Sequence, residues 1–431
     1  MNSYFASVEQ QANPFLRGKA IGVTGKRKER SVVAAASREA KKLGVKTAMS
    51  TWEAKKILPS IILVAGDPEK YGDITRRFNA IFRDYTDLVE QFSVDESFLD
   101  VTDTAKDYLG ATAIALTIRD RLRRECGELI TASIGIAPNK LMAKLSSERV
   151  KPNGITVTQP HQLISLLDSV ELQDICGIGS RIADRLDRMG IRTVKQLREH
   201  RLDELVREFK SYGYWLHEAA HGRGDDEVNP NAEDPKSIGH SYTLPTNTSD
   251  PIVIQHYLLA LCDKVGWRLR RDGFAARCVT VYVRYGDFSG DGKQRRFQEA
   301  VNDGLALFEI GWELLSNLQQ THRAPLQDTP SSSLGLDSAS LSLRSMGAPS
   351  FRPHEQNVCW LPVRLVGINT SQLVPDHRSI PLFKKDQKMV SALSALDKLQ
   401  TRYGDTVWTR ASLLKTDVLA RTSGFRYDHE L

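Results

Sequence analysis

The chain has 431 residues, 41% of them hydrophobic and 26% charged, with a net charge of +6. At roughly 150 residues per domain this length accommodates about three domains, and the composition excludes a collagen, a disulfide scaffold and a wholly disordered chain. A basic surplus of this size suits a nucleic-acid partner but is shared by ordinary basic enzymes.

In chain order, the first 158 residues alternate short β-rich runs with helical stretches, the pattern of mixed α and β structure. Strands are predicted at 20–23, 31–36 and 61–65. Ser50-Thr51-Trp52-Glu53 forms a capping box for a helix that must end before Pro59. Asp67-Pro68 supplies a cap and a first-turn proline to a helix with Tyr71, Ile74, Phe78 and Ile81 on one face. Two apolar runs, 92–94 and 98–101, flank Asp95-Glu96, and a strand at 130–136 precedes a helix carrying Lys140 and Lys144. From 159 to 221 the pattern is wholly helical. Residues 222–236 are acidic and rich in turn formers and read as a linker. A second α+β pattern follows, with strands at 238–244, 277–284, 294–300 and 359–368 and helices at 251–271 and 303–318. Residues 321–357, with four prolines and a run of serines, read as a disordered insertion. The tail, 376–431, holds one amphipathic helix.

The five cysteines are scattered and form no CxxC, which predicts a reduced intracellular chain. No apolar run approaches a membrane span, and the opening residues MNSYFASVEQ lack the basic and apolar regions of a signal peptide. The expectation is a soluble, cytoplasmic monomer, nucleoid-associated if bacterial, with no membrane partner.

The sharpest chemical feature is Ser93-Val94-Asp95-Glu96-Ser97-Phe98-Leu99-Asp100. Ionised groups between apolar β-runs are expensive, and a hard divalent cation such as magnesium would offset that cost. Neighbours on a regular strand point to opposite faces, so both acids serve one metal cluster only if the chain turns or bulges there.

That segment stands among others with a shared resemblance. Met1-Asn2-Ser3-Tyr4-Phe5-Ala6-Ser7-Val8-Glu9 with Asn13-Pro14 resembles the opening of the Y-family (translesion) DNA polymerases of the DinB, or polymerase IV, type. So do Ala36-Ser37-Arg38-Glu39-Ala40-Lys41-Lys42-Leu43-Gly44-Val45-Lys46, Ser133-Ile134-Gly135-Ile136-Ala137 with Asn139-Lys140, and Lys151-Pro152-Asn153-Gly154. The resemblance implies an α+β multidomain right hand. Its palm would be ferredoxin-like (1–3 and 67–158), with small fingers (4–66) and an all-α helix-hairpin-helix thumb (159–221). After the linker (222–236) would come a separate α+β little finger (237–370) and a C-terminal tail (371–431).

The resemblance also implies roles. Asp95 and Glu96, with the Met1 backbone carbonyl, would bind two Mg2+ ions for transfer of a deoxynucleotide to a primer 3′-end. Phe5 would be the steric gate against a ribose 2′-hydroxyl, beside Tyr4. Arg38, Lys41 and Lys151 would contact the triphosphate. The family often has Tyr in place of Arg38 and Arg in place of Lys41, and Lys keeps the charge without the planar fork. The family's first metal-binding Asp lies just before the position of Met1, at the end of an apolar strand. The resemblance therefore predicts that Met1 is internal to the natural gene product, that the palm sheet carries a gap, and that catalysis by the chain as given is severely impaired. The alternative is a catalytically inactive DNA-binding scaffold of the same family.

Ile175-Cys176-Gly177-Ile178-Gly179-Ser180 places a Gly-x-Gly turn before an N-capping Ser and resembles a helix-hairpin-helix, whose amides hold a DNA phosphate. A basic cluster that includes Lys236, Arg295 and Arg296 would grip phosphates from the little finger. Ser379-Ile380-Pro381-Leu382-Phe383 resembles a sliding-clamp peptide, with Ser379 in place of the usual Gln. Separately, His217-Glu218-Ala219-Ala220-His221 matches HExxH, the zinc-protease motif. Gly222 ends that helix at once and no third ligand follows, so two surface histidines at a helix end are the better reading.

Overall fold

The computed structural model describes residues 1–26, 30–224, 227–231, 234–321, 360–376, 384–404, 407–414 and 416, and its chain divides at residues 233/234 into two units. In the first, α1 (Tyr4–Ala12) leads to a small sheet of β1 (Ile21–Thr24), β2 (Ala35–Ala36) and, after α2 (Arg38–Lys42) and α3 (Thr51–Ile57), β3 (Ile62–Ala65). The order is β2-β1-β3, with β2 antiparallel and β3 parallel to β1. Only Ala35 and Ala36 of the predicted 31–36 strand pair continuously. Val32 turns away to bridge Ser50, which carries the chain toward α3. There Ser50 and Glu53 close the expected capping box, with Glu53 N 3.1 Å from Ser50 Oγ and Ser50 N 2.9 Å from Glu53 Oε2.

Next, α4 (Pro68–Arg83) starts on Asp67, which accepts from the amides of Glu69 and Lys70. It buries Tyr71, Phe78 and Ile81 in the larger core of this unit. The hairpin β4 (Val89–Ser93) and β5 (Glu96–Leu99) follows, then α5 (Thr102–Ala105), α6 (Tyr108–Arg121), β6 (Ile134–Ile136), α7 (Lys140–Arg149) and β7 (Ile155–Val157). The predicted strand at 130–136 is regular only over its last three residues, because the Thr131 carbonyl turns to accept from Asn2 N at 2.8 Å. The four strands form two separate pairs, antiparallel β4-β5 and parallel β6-β7. A cavity of about 450 Å3 touches Ser97, Phe98 and Leu99 of β5 and Ile134, Gly135 and Ile136 of β6.

Helices α8 (Leu163–Asp168), α9 (Ser180–Arg188), α10 (Val194–Glu199), α11 (Leu202–Phe209) and α12 (Ser211–Ala220) enclose a separate core around Leu186, Leu197, Leu205 and Leu216. Within the expected linker, Val228 is buried and Asn229 N donates to Glu90 Oε2 at 2.8 Å, so that stretch is pinned to the first unit.

The second unit is a four-stranded antiparallel sheet of β8 (Ser237–Thr248), β9 (Phe274–Tyr285), β10 (Gly290–Val301) and β11 (Val363–Pro375), in the order β10-β9-β11-β8. Helices α13 (Pro251–Arg271) and α14 (Gly304–Thr321) share one core with this sheet. The tail helix α15 (Lys384–Tyr403) is joined to α13 by a bidentate Arg270–Asp397 pair, 2.8 Å on each side. Most of the 321–357 insertion and all of the clamp-like segment, including Ile380 to Phe383, lie outside the described residues. No described helix is long and apolar enough to cross a membrane.

Gly135 sets the approach of α7 to the β6-β7 pair. A Cβ there would lie 1.9 Å from the Ala143 carbonyl oxygen and 2.6 Å from Ser147 N, both backbone atoms that cannot swing aside. Gly135→Ala is therefore expected to destabilise the fold by roughly 2 kcal/mol or more, read as a lower urea midpoint at unchanged slope.

Candidate functional site

The hairpin β4-β5 changes register at its tip. Gln91 opposes Ser97, then Ser93 opposes Glu96, with the slip between Gln91 and Ser93. This bulge brings Asp95 and Glu96 to one side. Ser93 Oγ lies 3.1 Å from Asp95 Oδ1 and 3.3 Å from Glu96 Oε2. Cations gather on the pair: Lys144 Nζ is 2.6 Å from Glu96 Oε1, and the Met1 amine donates to the Asp95 carbonyl at 2.6 Å. Burial alone would raise the Glu96 carboxyl, but the bond and charge of Lys144, the chain-terminal ammonium and Ser93 together hold it below its ordinary value. Burial pushes the Met1 amine down, against the pull of Asp95 and Glu96.

The cationic side of the site is assembled through Asn2. This buried residue accepts on Oδ1 from Thr131 Oγ1 at 3.1 Å and from Asn153 N at 2.9 Å, and its amide donates to Ser133 Oγ at 3.1 Å. Arg38, the first residue of α2, donates to the same Thr131 hydroxyl. Asn2 thus ties the Lys151-Pro152-Asn153 loop to the residue that Arg38 holds. Burial, and then the charges of Lys151 and Arg38, push the Lys41 ammonium below its ordinary value, while Glu148 and Asp95 pull the other way. Lys41 therefore lies within electrostatic reach of Arg38, Lys151 and Asp95. Neither Asn2 nor Thr131 stood out in the sequence. Asn2 reads as a poor replacement for an acid, and it is a structural tie.

On α1, Phe5 stacks on Tyr71, with ring centroids 4.4 Å apart and planes at 22°. Tyr4 is buried, and its hydroxyl donates to the Tyr71 carbonyl at 2.7 Å beside Thr75 Oγ1 at 2.9 Å. In the helical region, Gly177 adopts φ +108°, where a Cβ would lie 2.4 Å from Trp215, and Tyr212 OH donates to its carbonyl at 2.7 Å. The cap of α9 is Gly179 rather than Ser180, which is the first helical residue. The space above Gly179 is open, leaving that helix end accessible.

The sheet of the second unit has one face on the helices and one open. Gly292, Tyr282, Gly367 and Ser241 form one row across the open face, Gln294, Thr280, Asn369 and Gly239 the next. Arg284 and Arg296 project from the same face, since they share the even alternation of β9 and β10. Arg295 points the other way and pairs with Glu313 on α14. Lys236 is exposed just before β8.

The HEAAH segment is committed to local bonds. Both Glu218 oxygens take the Arg223 guanidinium, at 2.5 and 2.7 Å, and this holds the carboxyl at about 2. His221 Nδ1 lies 2.8 Å from the His217 carbonyl.

Two carboxylates around one hydroxyl, with ammonium groups drawn onto them, make a hard anionic oxygen set that fits a divalent cation. Among the described residues no group of three or more His, Cys, Asp or Glu is placed to hold a metal. The adjoining cluster of Arg38, Lys41 and Lys151 suits a polyphosphate.

Residues 1–148 match the impB/mucB/samB family, and residues 235–381 match the C-terminal domain of that family. A DNA polymerase IV of Listeria innocua is 35% identical over 315 residues, 73% of this chain and 88% of the relative. One of Bacillus velezensis is 31% identical over 441 aligned positions, covering 100% of this chain and 95% of its own. Among solved structures, the Y-family DNA polymerase chimera Dbh-Dpo4(243-245)-Dbh superposes with a TM-score of 0.71 at 25% identity, covering 86% of this chain and 97% of its own. An insertion ternary complex of Dbh DNA polymerase matches with a TM-score of 0.52 at 25% identity, covering 86% and 97%.

The cation cluster predicts that inorganic triphosphate raises the melting temperature of the unliganded protein, because it binds the folded state. Lys41→Met and Lys151→Met are each expected to lower that shift by at least half in a thermal melt.

Proposed function

Since the chain belongs to the DinB-type branch of the Y-family DNA polymerases, we propose that it performs error-prone, template-directed synthesis by two-metal phosphoryl transfer at the Asp95–Glu96 turn. The family makes it a translesion, DNA-directed DNA polymerase with a general need for divalent metal, acting on primer-template DNA and deoxynucleoside triphosphates. The observation that carries the finer reading is the bulge that turns both carboxylates onto Ser93.

Asp95 and Glu96 would hold the cations, with the Met1 carbonyl nearby and the triphosphate oxygens completing the second set. Bound there, Mg2+ would lower the pKa of the primer 3′-hydroxyl and neutralise charge on the pyrophosphate leaving group. Arg38, Lys41 and Lys151 orient the triphosphate, and their positive charge favours the charge-rich transition state. The Phe5 ring closes the sugar side and excludes a 2′-hydroxyl. Lys144, which bonds Glu96 here, would give up that bond to let the carboxylate hold a cation.

Domain roles follow the same reading: residues 1–3 and 67–158 act as palm, 4–66 as fingers, 159–221 as thumb and 237–370 as little finger. The Gly177–Gly179 turn would hold a DNA phosphate, as would Lys236 and Arg296 and, less directly, Arg295. Ile380 to Phe383 would engage a sliding clamp.

The turn brings two carboxylates together, and among the described residues no third His, Cys, Asp or Glu joins them. The same observation is what favours the scaffold reading as the alternative. Primer extension in magnesium separates the two. The chain as given is expected to extend a primer weakly, and Asp95→Ala to abolish extension by about a thousandfold or more while leaving primer-template binding intact. Binding of primer-template with no extension by the unaltered chain would establish the scaffold instead.

The open sheet face gives a second test. Arg296→Ala is expected to weaken duplex binding at all sequences and to reduce the slope of log K against log salt by about one. Arg295→Ala is expected to leave that slope nearly unchanged, because its guanidinium is held by Glu313.

A further inference from the structure

Phe5 and Glu9 lie one turn apart on α1, so their side chains leave the same helical face. Tyr71, in the first turn of α4, meets both. Its ring stacks on Phe5 at 4.4 Å, and its hydroxyl donates to Glu9 Oε1 at 2.8 Å. The other carboxylate oxygen, Oε2, accepts from Lys70 Nζ at 3.1 Å. The Glu9 side chain is only 5% exposed. Burying a carboxylate is costly even when it is paired, and neither the Asp95–Glu96 turn nor the cation cluster uses this one. Burial and the bond to Glu9 push the Tyr71 hydroxyl above its ordinary range, so it stays a donor.

A tyrosine held only by stacking can rock about its side-chain torsions. One held also by its hydroxyl is fixed at both ends, and so is the ring it stacks upon. We propose that Glu9 is a positioning residue for sugar discrimination: its carboxylate fixes Tyr71, and Tyr71 fixes Phe5 where a ribose 2′-hydroxyl would collide with it. This rests on the reading of Phe5 as the sugar gate.

The test needs no turnover. The full chain is loaded with a primer-template whose primer ends in a dideoxynucleotide. Equilibrium binding of the complementary deoxynucleoside and ribonucleoside triphosphates is then compared by the fluorescence of a 2-aminopurine in the template. The ratio of the two affinities is the readout. Phe5→Ala is expected to collapse the ratio. Glu9→Ala and Tyr71→Phe are expected to lower it by about tenfold, the cost of a small displacement at a shape-selective wall. Glu9→Gln, whose amide oxygen still accepts from Tyr71, is expected to keep most of it. A loss of general stability would lower both affinities and leave the ratio unmoved. If Phe5→Ala leaves the ratio intact, the gate reading falls and this inference with it. If Phe5→Ala collapses the ratio while Glu9→Ala and Tyr71→Phe preserve it, the gate stands and the role of Glu9 is overturned.

Discussion

Asp95 and Glu96 are adjacent in the chain and share one hydroxyl, and the first unit brings positive charge to them from far along the sequence. A regular strand would separate Asp95 from Glu96 onto opposite faces. The slip between Gln91 and Ser93 removes that separation and gives the two acids a shared hydroxyl. The arrangement persists because positive charge is supplied from two distant points of the chain. Lys144 comes from α7, which reaches the turn because Gly135 lets the helix approach β6 so closely. The Met1 amine comes from the residue just ahead of Asn2. A divalent cation on the Glu96 carboxylate would compete with Lys144 for the same oxygens.

The opposite charge problem sits a short way off. Burial, and then the charges of Lys151 and Arg38, lower the Lys41 ammonium. Lys151 pairs with Glu148, and its loop is tied to Arg38 by neutral bonds: Thr131 takes Arg38, Asn2 takes Thr131, and Asn153 donates to Asn2. An anion with several phosphates would be attracted to these charges, and the bonds through Asn2 would let the loop and Arg38 receive it with little rearrangement. Preorganisation of this kind concentrates stabilisation in the bound complex rather than in the free protein.

Much of this was legible in the sequence where a local rule decides the outcome. The capping box at Ser50 and Glu53, the Asp67 cap and the buried stripe of α4 follow from side chains within one turn of each other. The need for a bulge at Asp95 follows from strand periodicity. What stayed illegible depends on partners far apart in the chain. Asn2 looks like a failed acid until Thr131 and Asn153 arrive beside it. The 130–136 strand breaks because Asn2 competes for the Thr131 carbonyl. Arg295 and Arg296 look alike in a basic run, and only the pairing of β10 with β9 shows that they face opposite sides. Ser180 resembles a cap, yet Gly179 takes that position with an extended backbone and leaves the helix end uncovered.

Helix α1 and the carboxylate turn are joined by polar atoms buried between them. Thr75 Oγ1 lies 2.9 Å from the Tyr71 carbonyl, 2.9 Å from the Tyr4 hydroxyl and 2.7 Å from the Val94 carbonyl. Val94 immediately precedes Asp95, and Tyr4 immediately precedes Phe5, so one threonine spans the carboxylate turn and the helix that carries the gate. In a buried setting each of these groups needs its partner, and the loss of one leaves the others exposed to the full cost of desolvation. A displacement of α1 would therefore move the carboxylate turn with it. Glu9 enters the same set of bonds through Tyr71, whose carbonyl meets Thr75 and whose hydroxyl meets Glu9, so on the proposed reading the sugar side and the carboxylate turn would share one support.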